Sequence, residues 1–214
     1  MKQTPYFPLT RQLLLGGLVS LGSLALAVPA LAHHPFGGDT PTNALQAFLS
    51  GVGHPVIGLD HLAFVIAAGL LAAIFNRGLF IPVAFVVTSL VGTLMHLGNI
   101  HLPAPEMVIA ASVLLFGVIL ALKKTLPSGV IIALAAGAGL FHGYAYGEAI
   151  VGAGMPSLLA YLVGFSAIQT AIAVGAYLFA KQVGATGEVK PLTLRCLGLI
   201  LTGMGIALTA TVLG

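Results

Sequence analysis

The stretch GHPVIGLDHLAFVIAAGLLAAIF, residues 53–75, decides the class of this protein. From Leu62 to Phe75 it carries no polar side chain. A helix crossing the hydrocarbon core of a bilayer needs about 20 mostly apolar residues, and this stretch supplies one crossing. Its head, however, holds His54, Asp60 and His61. An ionisable group inside a membrane costs at least about 2.5 kcal/mol on insertion scales, so three of them together mark an ion pathway or a paired site.

The rest of the chain has the same character. Of 214 residues, 58% are hydrophobic and only 6% charged, and the mean hydropathy is +1.09. A soluble domain carries roughly a quarter charged residues, so a soluble enzyme is excluded and the expected class is an all-α polytopic membrane protein. The 28 glycines suit close helix packing in lipid. A formal charge of +3 could suggest nucleic acid. The basic residues beyond the N-terminus stand at the ends of apolar runs, so they set orientation and no nucleic-acid partner is expected. Cys196 is the single cysteine, which rules out an intrachain disulfide. There is no G-x-x-x-x-G-K-[ST] loop, so the chain has no phosphate cradle with which to use ATP itself.

Residues 1–32 have the parts of a cleavable signal peptide: Lys2 and Arg11, an apolar run over 13–27, and the small-residue site Ala30-Leu31-Ala32. Cleavage places His33 and His34 at a new N-terminus outside the cytoplasm. Residues 33–54 then form an extracytoplasmic segment with a short helix over 42–50, capped by Thr42 or Asn43. Gly51-Val52-Gly53 is expected to break the chain before a six-helix domain, 55–214. The spans are predicted at 55–75, 79–97, 105–122, 128–150, 156–180 and 192–213. Pro55, Pro105, Pro127, Pro156 and Pro191 stand at or just before helix starts, where a missing N–H costs nothing. With the mature N-terminus outside, the cytoplasmic connections hold Arg77, Lys123, Lys124, Lys181 and Lys190, with Arg195 just inside the last span. The outer connections hold no Lys or Arg. That asymmetry satisfies the positive-inside rule and predicts a multi-pass protein of the inner (plasma) membrane.

This orientation sets depth, and every histidine of the mature chain falls in the outer half or outside it. His54 and His61, seven apart, share a helix face, with Asp60 turned about 100° from His61. Ser89, Thr93 and His96 form a polar stripe on the second span. His142 and Glu148 lie in the last third of the fourth. Gly139, Gly143 and Gly147 make a ridge on that helix, and its expected neighbour is the first span, so that His61 and His142 face one another. Gln169, in mid-membrane, is expected to hydrogen-bond between helices. Two histidines and a carboxylate in one span suit a borderline divalent ion such as Ni²⁺, Co²⁺, Zn²⁺ or Cu²⁺. Other chemistries remain open at this point: an intramembrane zinc-dependent hydrolase with Glu148 as acid or base, and a haem held by His61 and His142.

Two motifs resemble those of a known family. HPVIGLDHLAFV, with His54-x5-Asp60-His61, resembles the first signature of the HupE/UreJ membrane proteins. FHGYAYGEA, from Phe141 to Ala149, resembles their second, usually F-H-G-x-A-H-G-x-E. Tyr146 replaces the second histidine of that motif, and the glutamate falls one residue early, at Glu148 rather than at position 149, which is Ala149. The resemblance extends over the signal peptide, the mature N-terminal histidine and the six-span plan. It implies a permease for nickel or cobalt rather than an enzyme, with the metal as cargo and no permanently bound cofactor. His54, Asp60, His61 and His142 would carry the ion, with His96 and Glu148 nearby and His33 at the outer mouth. The partners expected are the divalent ion and the lipid bilayer, and the reading leaves room for a homo-oligomer.

Overall fold

A computed structural model describes residues 40–75, 78–122, 126–184 and 191–214. The proposed signal peptide, His33, His34, Arg77, Lys123, Lys124 and Lys190 lie outside the described residues. Within them the protein is all-helical: α1 (Ala44–Ile57), α2 (Leu59–Ala72), α3 (Phe80–Leu97), α4 (Pro105–Ala121), α5 (Ser128–Glu148), α6 (Met155–Gln182) and α7 (Leu192–Leu213). Helices α3, α5, α6 and α7 are each long and apolar enough to cross a membrane, and α1 with α2 pass together as one bent span. Helix α4, apolar but 17 residues long, falls just short on length. By length and composition this is a multi-pass membrane protein with four to five candidate spans among the described residues.

The first span departs from expectation. The short helix does not stop at Ser50 but runs through Gly51, Gly53, His54 and Pro55 to Ile57. Asn43 is its cap, its side-chain oxygen accepting from the Gln46 N–H at 2.9 Å. Gly51 does not break the helix because its bare Cα is used for packing. A Cβ there would strike the Tyr161 carbonyl oxygen of α6, and one on Gly164 of α6 would strike Phe48 O. The break comes later, at Gly58, where α1 and α2 bend by 78°. Pro55 has already removed one helical N–H from this turn, and the Gly58 N–H closes α1 on His54 O at 3.0 Å. Gly58 lies at φ −70°, ψ 102°, which any residue can adopt. Space makes the glycine necessary: a Cβ would come within 2.7 Å of His61 Cδ2 and 3.1 Å of Asp60 Oδ1.

Helix α2 is the axis of the bundle. Ala63, Phe64, Val65 and the run from Ala67 to Ala72 are buried, and α2 packs against α3, α4, α6 and α7. At 14 residues it is only about 21 Å long, short of a full crossing by itself. Phe64 of α2, Phe85 of α3 and Phe116 of α4 form the aromatic centre, with ring centroids 4.5 and 4.7 Å from Phe64.

The glycine ridge of α5 meets α3, not the first span as expected. A Cβ on Gly139 would strike Phe85 O, one on Gly143 would strike Ser89, and one on Gly147 would lie 2.6 Å from His96 Cβ. Contacts that advance together along both chains mean that α3 and α5 run parallel. Gly117, Gly198 and Gly205 make the corresponding close approach between α4 and α7, which run antiparallel. Arg195 Nε of α7 also donates to Ala121 O at 3.2 Å, placing a cation at the C-terminal end of α4, where the helix dipole favours it.

Candidate functional site

The ridge that packs against α3 also aims His142. His142 precedes Gly143 by one residue and so points about 100° away from the ridge, towards α2. There its Nδ1 lies 2.8 Å from His61 Nδ1. Both rings are buried, at 0% and 5% exposure. The expected facing pair is therefore formed, although through a different helix packing.

The hydroxyl partners of these rings favour one arrangement of their protons. Ser112 of α4 donates its hydroxyl hydrogen to Ile109 O at 2.7 Å, and a carbonyl can only accept. The contact of Ser112 Oγ with His142 Nε2 at 3.0 Å is then a donation from His142 Nε2–H. A neutral His142 carries its lone pair on Nδ1, which accepts Nδ1–H from His61. A neutral His61 in turn carries its lone pair on Nε2, on the side of Asp60 Oδ1, 3.9 Å away. The same logic sets His54. Tyr161 of α6 donates its hydroxyl to Tyr146 O at 2.7 Å, so its 3.2 Å contact with His54 Nδ1 is a donation from His54. A neutral His54 then has its lone pair on Nε2. The His54 and His61 ring centroids are 5.5 Å apart.

Asp60 accepts the backbone N–H of His61 at 2.8 Å. It lies in the first turn of α2, where the helix dipole stabilises a negative charge. Its 3.9 Å separation from His61 Nε2 is too long for a hydrogen bond. Tyr146 completes the pocket, its ring 5.1 Å from His54, 4.5 Å from His61 and 5.3 Å from Phe165. Its buried hydroxyl has no hydrogen-bond partner among the described residues.

Two expected members stand elsewhere. His96 packs against Tyr144, 4.5 Å between centroids, and over Gly147, on the α3–α5 seam. Ser89 and Thr93 of its stripe bond to backbone carbonyls, Thr93 reaching Gly143 O at 2.8 Å. Glu148 is exposed at the end of α5 and does not join the histidines. Among the described residues, no three His, Cys, Asp or Glu side chains are already gathered as a metal-ligand group. Ser112 and Tyr161 were not singled out from sequence. A serine or tyrosine in an apolar run gives no periodic signal, and both meet their histidines through tertiary contacts.

A family model for HupE / UreJ protein matches residues 21–208, a span that contains both signature stretches. Protein HupE of Rhizobium leguminosarum bv. viciae is 30% identical over 168 residues, covering 77% of this chain and 84% of that relative. The chain belongs to the HupE/UreJ family. No solved structure matches it. The family assignment gives the pocket a frame: both signatures contribute to it, His54, Asp60 and His61 from the first and His142 and Tyr146 from the second.

Proposed function

We propose that this protein is a permease that imports Ni²⁺ or Co²⁺ across the inner membrane through the pocket of His54, Asp60, His61 and His142. The proposal includes six passes, with the bent α1–α2 pair as the first and α4 as the third, and a mature N-terminus outside the cytoplasm. The family is associated with nickel and cobalt transport. The observation that carries the reading is the buried contact between His61 and His142, beside a break in a membrane span. Discontinuous helices recur at transporter binding sites, because half-helix ends bring polar groups to membrane depth.

The proton arrangement supports two stages. His61 Nε2 and the Asp60 carboxylate first take the ion, with His54 Nε2 beside them. His142, braced by Ser112, holds His61 in place. In the second stage the ion moves between the two imidazoles, and the proton it displaces from His61 Nδ1 is taken up at the His61 Nε2 that the ion has left. Nitrogens 2.8 Å apart, each about 2.0–2.1 Å from a metal, subtend close to 90°. That angle suits adjacent positions of an octahedral or square ion better than a tetrahedral one. His33 and His34 would be acceptors at the outer mouth. His96 and Glu148 would serve the approach to the pocket rather than its centre. Incomplete coordination favours passage over retention.

Neither alternative gains support. Glu148, which a hydrolase would need, is exposed at the end of α5 and is not gathered with the histidines into a ligand group among the described residues. The two rings that a haem would separate touch each other directly. The test is uptake of radiolabelled Ni²⁺ and Co²⁺ into cells expressing the intact chain and its His61→Ala variant. Uptake should be lost in the variant at equal membrane abundance, and survival of uptake at low metal would overturn the assignment.

A further inference from the structure

Two polar side chains deeper on α6 take no part in the pocket. Gln169 is fully buried, and neither its Oε1 nor its Nε2 has a hydrogen-bond partner among the described residues. The interhelical bond expected of it is not made. Ser166 Oγ, one turn nearer the pocket, is buried and also without a partner among them. Residues three apart share a helix face. Leaving such groups dry inside a membrane is costly, so they call for a polar occupant.

Their position says which. Tyr161, Phe165, Gln169 and Ala173 follow one another along the buried face of α6 at steps of four. Tyr161 contacts His54, and Phe165 lies against Tyr146. Gln169 is about 12 Å further along the helix than Tyr161. Helix α1 packs tightly on α6 at Tyr161 and Phe165 through Gly51, and α2 does so at Ala173 through Gly69. Gln169 thus lies along α6 between the seat of α1 and the seat of α2, the two halves of the bent pair.

We infer that Gln169 Oε1 and Ser166 Oγ form a second, neutral station, which takes a partly hydrated divalent cation once the histidine pocket has released it. This rests on the transport reading. Amide and hydroxyl oxygens replace water ligands without adding charge, so they hold such an ion more weakly than imidazole and carboxylate do. Descending affinity along the path lets the ion leave. The amide Nε2 can donate to a water the ion retains.

The test uses Co²⁺ as the probe, with the full chain purified into lipid nanodiscs for binding by visible absorption, and ⁵⁷Co uptake in cells. Gln169→Leu keeps the bulk of the side chain and removes both polar atoms. It should retain wild-type Co²⁺ affinity at the histidine pocket while uptake falls about tenfold or more. Gln169→Glu should bind one additional Co²⁺ per chain, because a carboxylate holds what an amide passes on. Wild-type uptake by Gln169→Leu overturns the second station, as does joint loss of uptake and pocket affinity, which would make Gln169 a support of the pocket itself. His61→Ala, run alongside, separates the two claims: if it transports like the wild type, the reading of transport through the histidine pocket has failed and the station fed by that pocket with it. If Gln169→Leu does not reach the membrane, the stoichiometry of Gln169→Glu decides, and an unchanged value overturns the proposal.

Discussion

Replacing Tyr161 by Phe tests how the pocket is set before any ion arrives. One oxygen atom is removed, and two buried hydrogen bonds end on it: 2.7 Å to Tyr146 O and 3.2 Å from His54 Nδ1. The ring and its packing against Phe165, 5.7 Å between centroids, are kept. Each buried group left unpaired costs about 1–3 kcal/mol, so the fold should be weakened but retained. The larger consequence falls on His54. Without the Tyr161 oxygen, the bond that favours the tautomer with its lone pair on Nε2 is lost. Loss of such an outer partner typically costs about 10–100-fold in metal affinity, or about 1.4–2.7 kcal/mol. Initial rates of Ni²⁺ uptake across a concentration series should show half-saturation rising by that factor, with the maximal rate preserved. Nitrogen-15 spectra of labelled histidine should show His54 losing its Nδ1–H signature. A lower melting temperature with unchanged half-saturation and an unchanged His54 signal would refute the reasoning and leave Tyr161 a packing residue.

Ser112→Ala removes the acceptor for His142 Nε2–H and should likewise weaken half-saturation of uptake, whereas Ser112→Thr, which keeps the hydroxyl, should restore it; equal behaviour of the two variants would show that the hydroxyl is not responsible. Gly143→Leu puts a Cβ 2.5 Å from Ser89 C and Cα, where carbon atoms need about 3.5–4.0 Å. Overpacking of this kind costs about 1–3 kcal/mol or more, so thermal unfolding of the detergent-solubilised protein should fall clearly, and an unchanged melting temperature would deny the α3–α5 contact. Tyr146→His adds an imidazole between His54, His61 and Phe165 and should move the Ni²⁺/Co²⁺ uptake ratio towards nickel; an unmoved ratio would take position 146 out of the ion's surroundings.

Much of the site was legible because its residues are so costly in an apolar chain. His54, His61 and His142 stood out against their surroundings, and periodicity placed the later helices close to their observed bounds, α7 at Leu192–Leu213 among them. The break before the first span was misplaced because Gly51, Gly53 and Pro55 carry two meanings. In isolation the glycines read as an interruption and the proline as a helix start. Against α6, Gly51 makes a close approach inside an unbroken helix, and Pro55 sits late enough that α1 ends only two residues beyond it. The ridge partner was missed for a related reason: glycine spacing shows that some helix comes close, but the surface that fits is a property of the other helix. Ser112 and Tyr161 were silent because a hydroxyl in a hydrophobic run has a local outlet in a backbone carbonyl, and only the folded chain shows which lone pair is left to a histidine.

The bend at Gly58 puts the two imidazoles of the first signature on separate levers. His54 rides on α1, fastened to α6 through Gly51 and Gly164, and His61 rides on α2, fastened further along α6 through Gly69. Between the levers lies a single glycine in an extended turn. Turning one lever about that joint would change the gap between the rings without unwinding either helix, so in the proposed permease a pivot, with a slip at one glycine seat on α6, would open and close the grip on a cation.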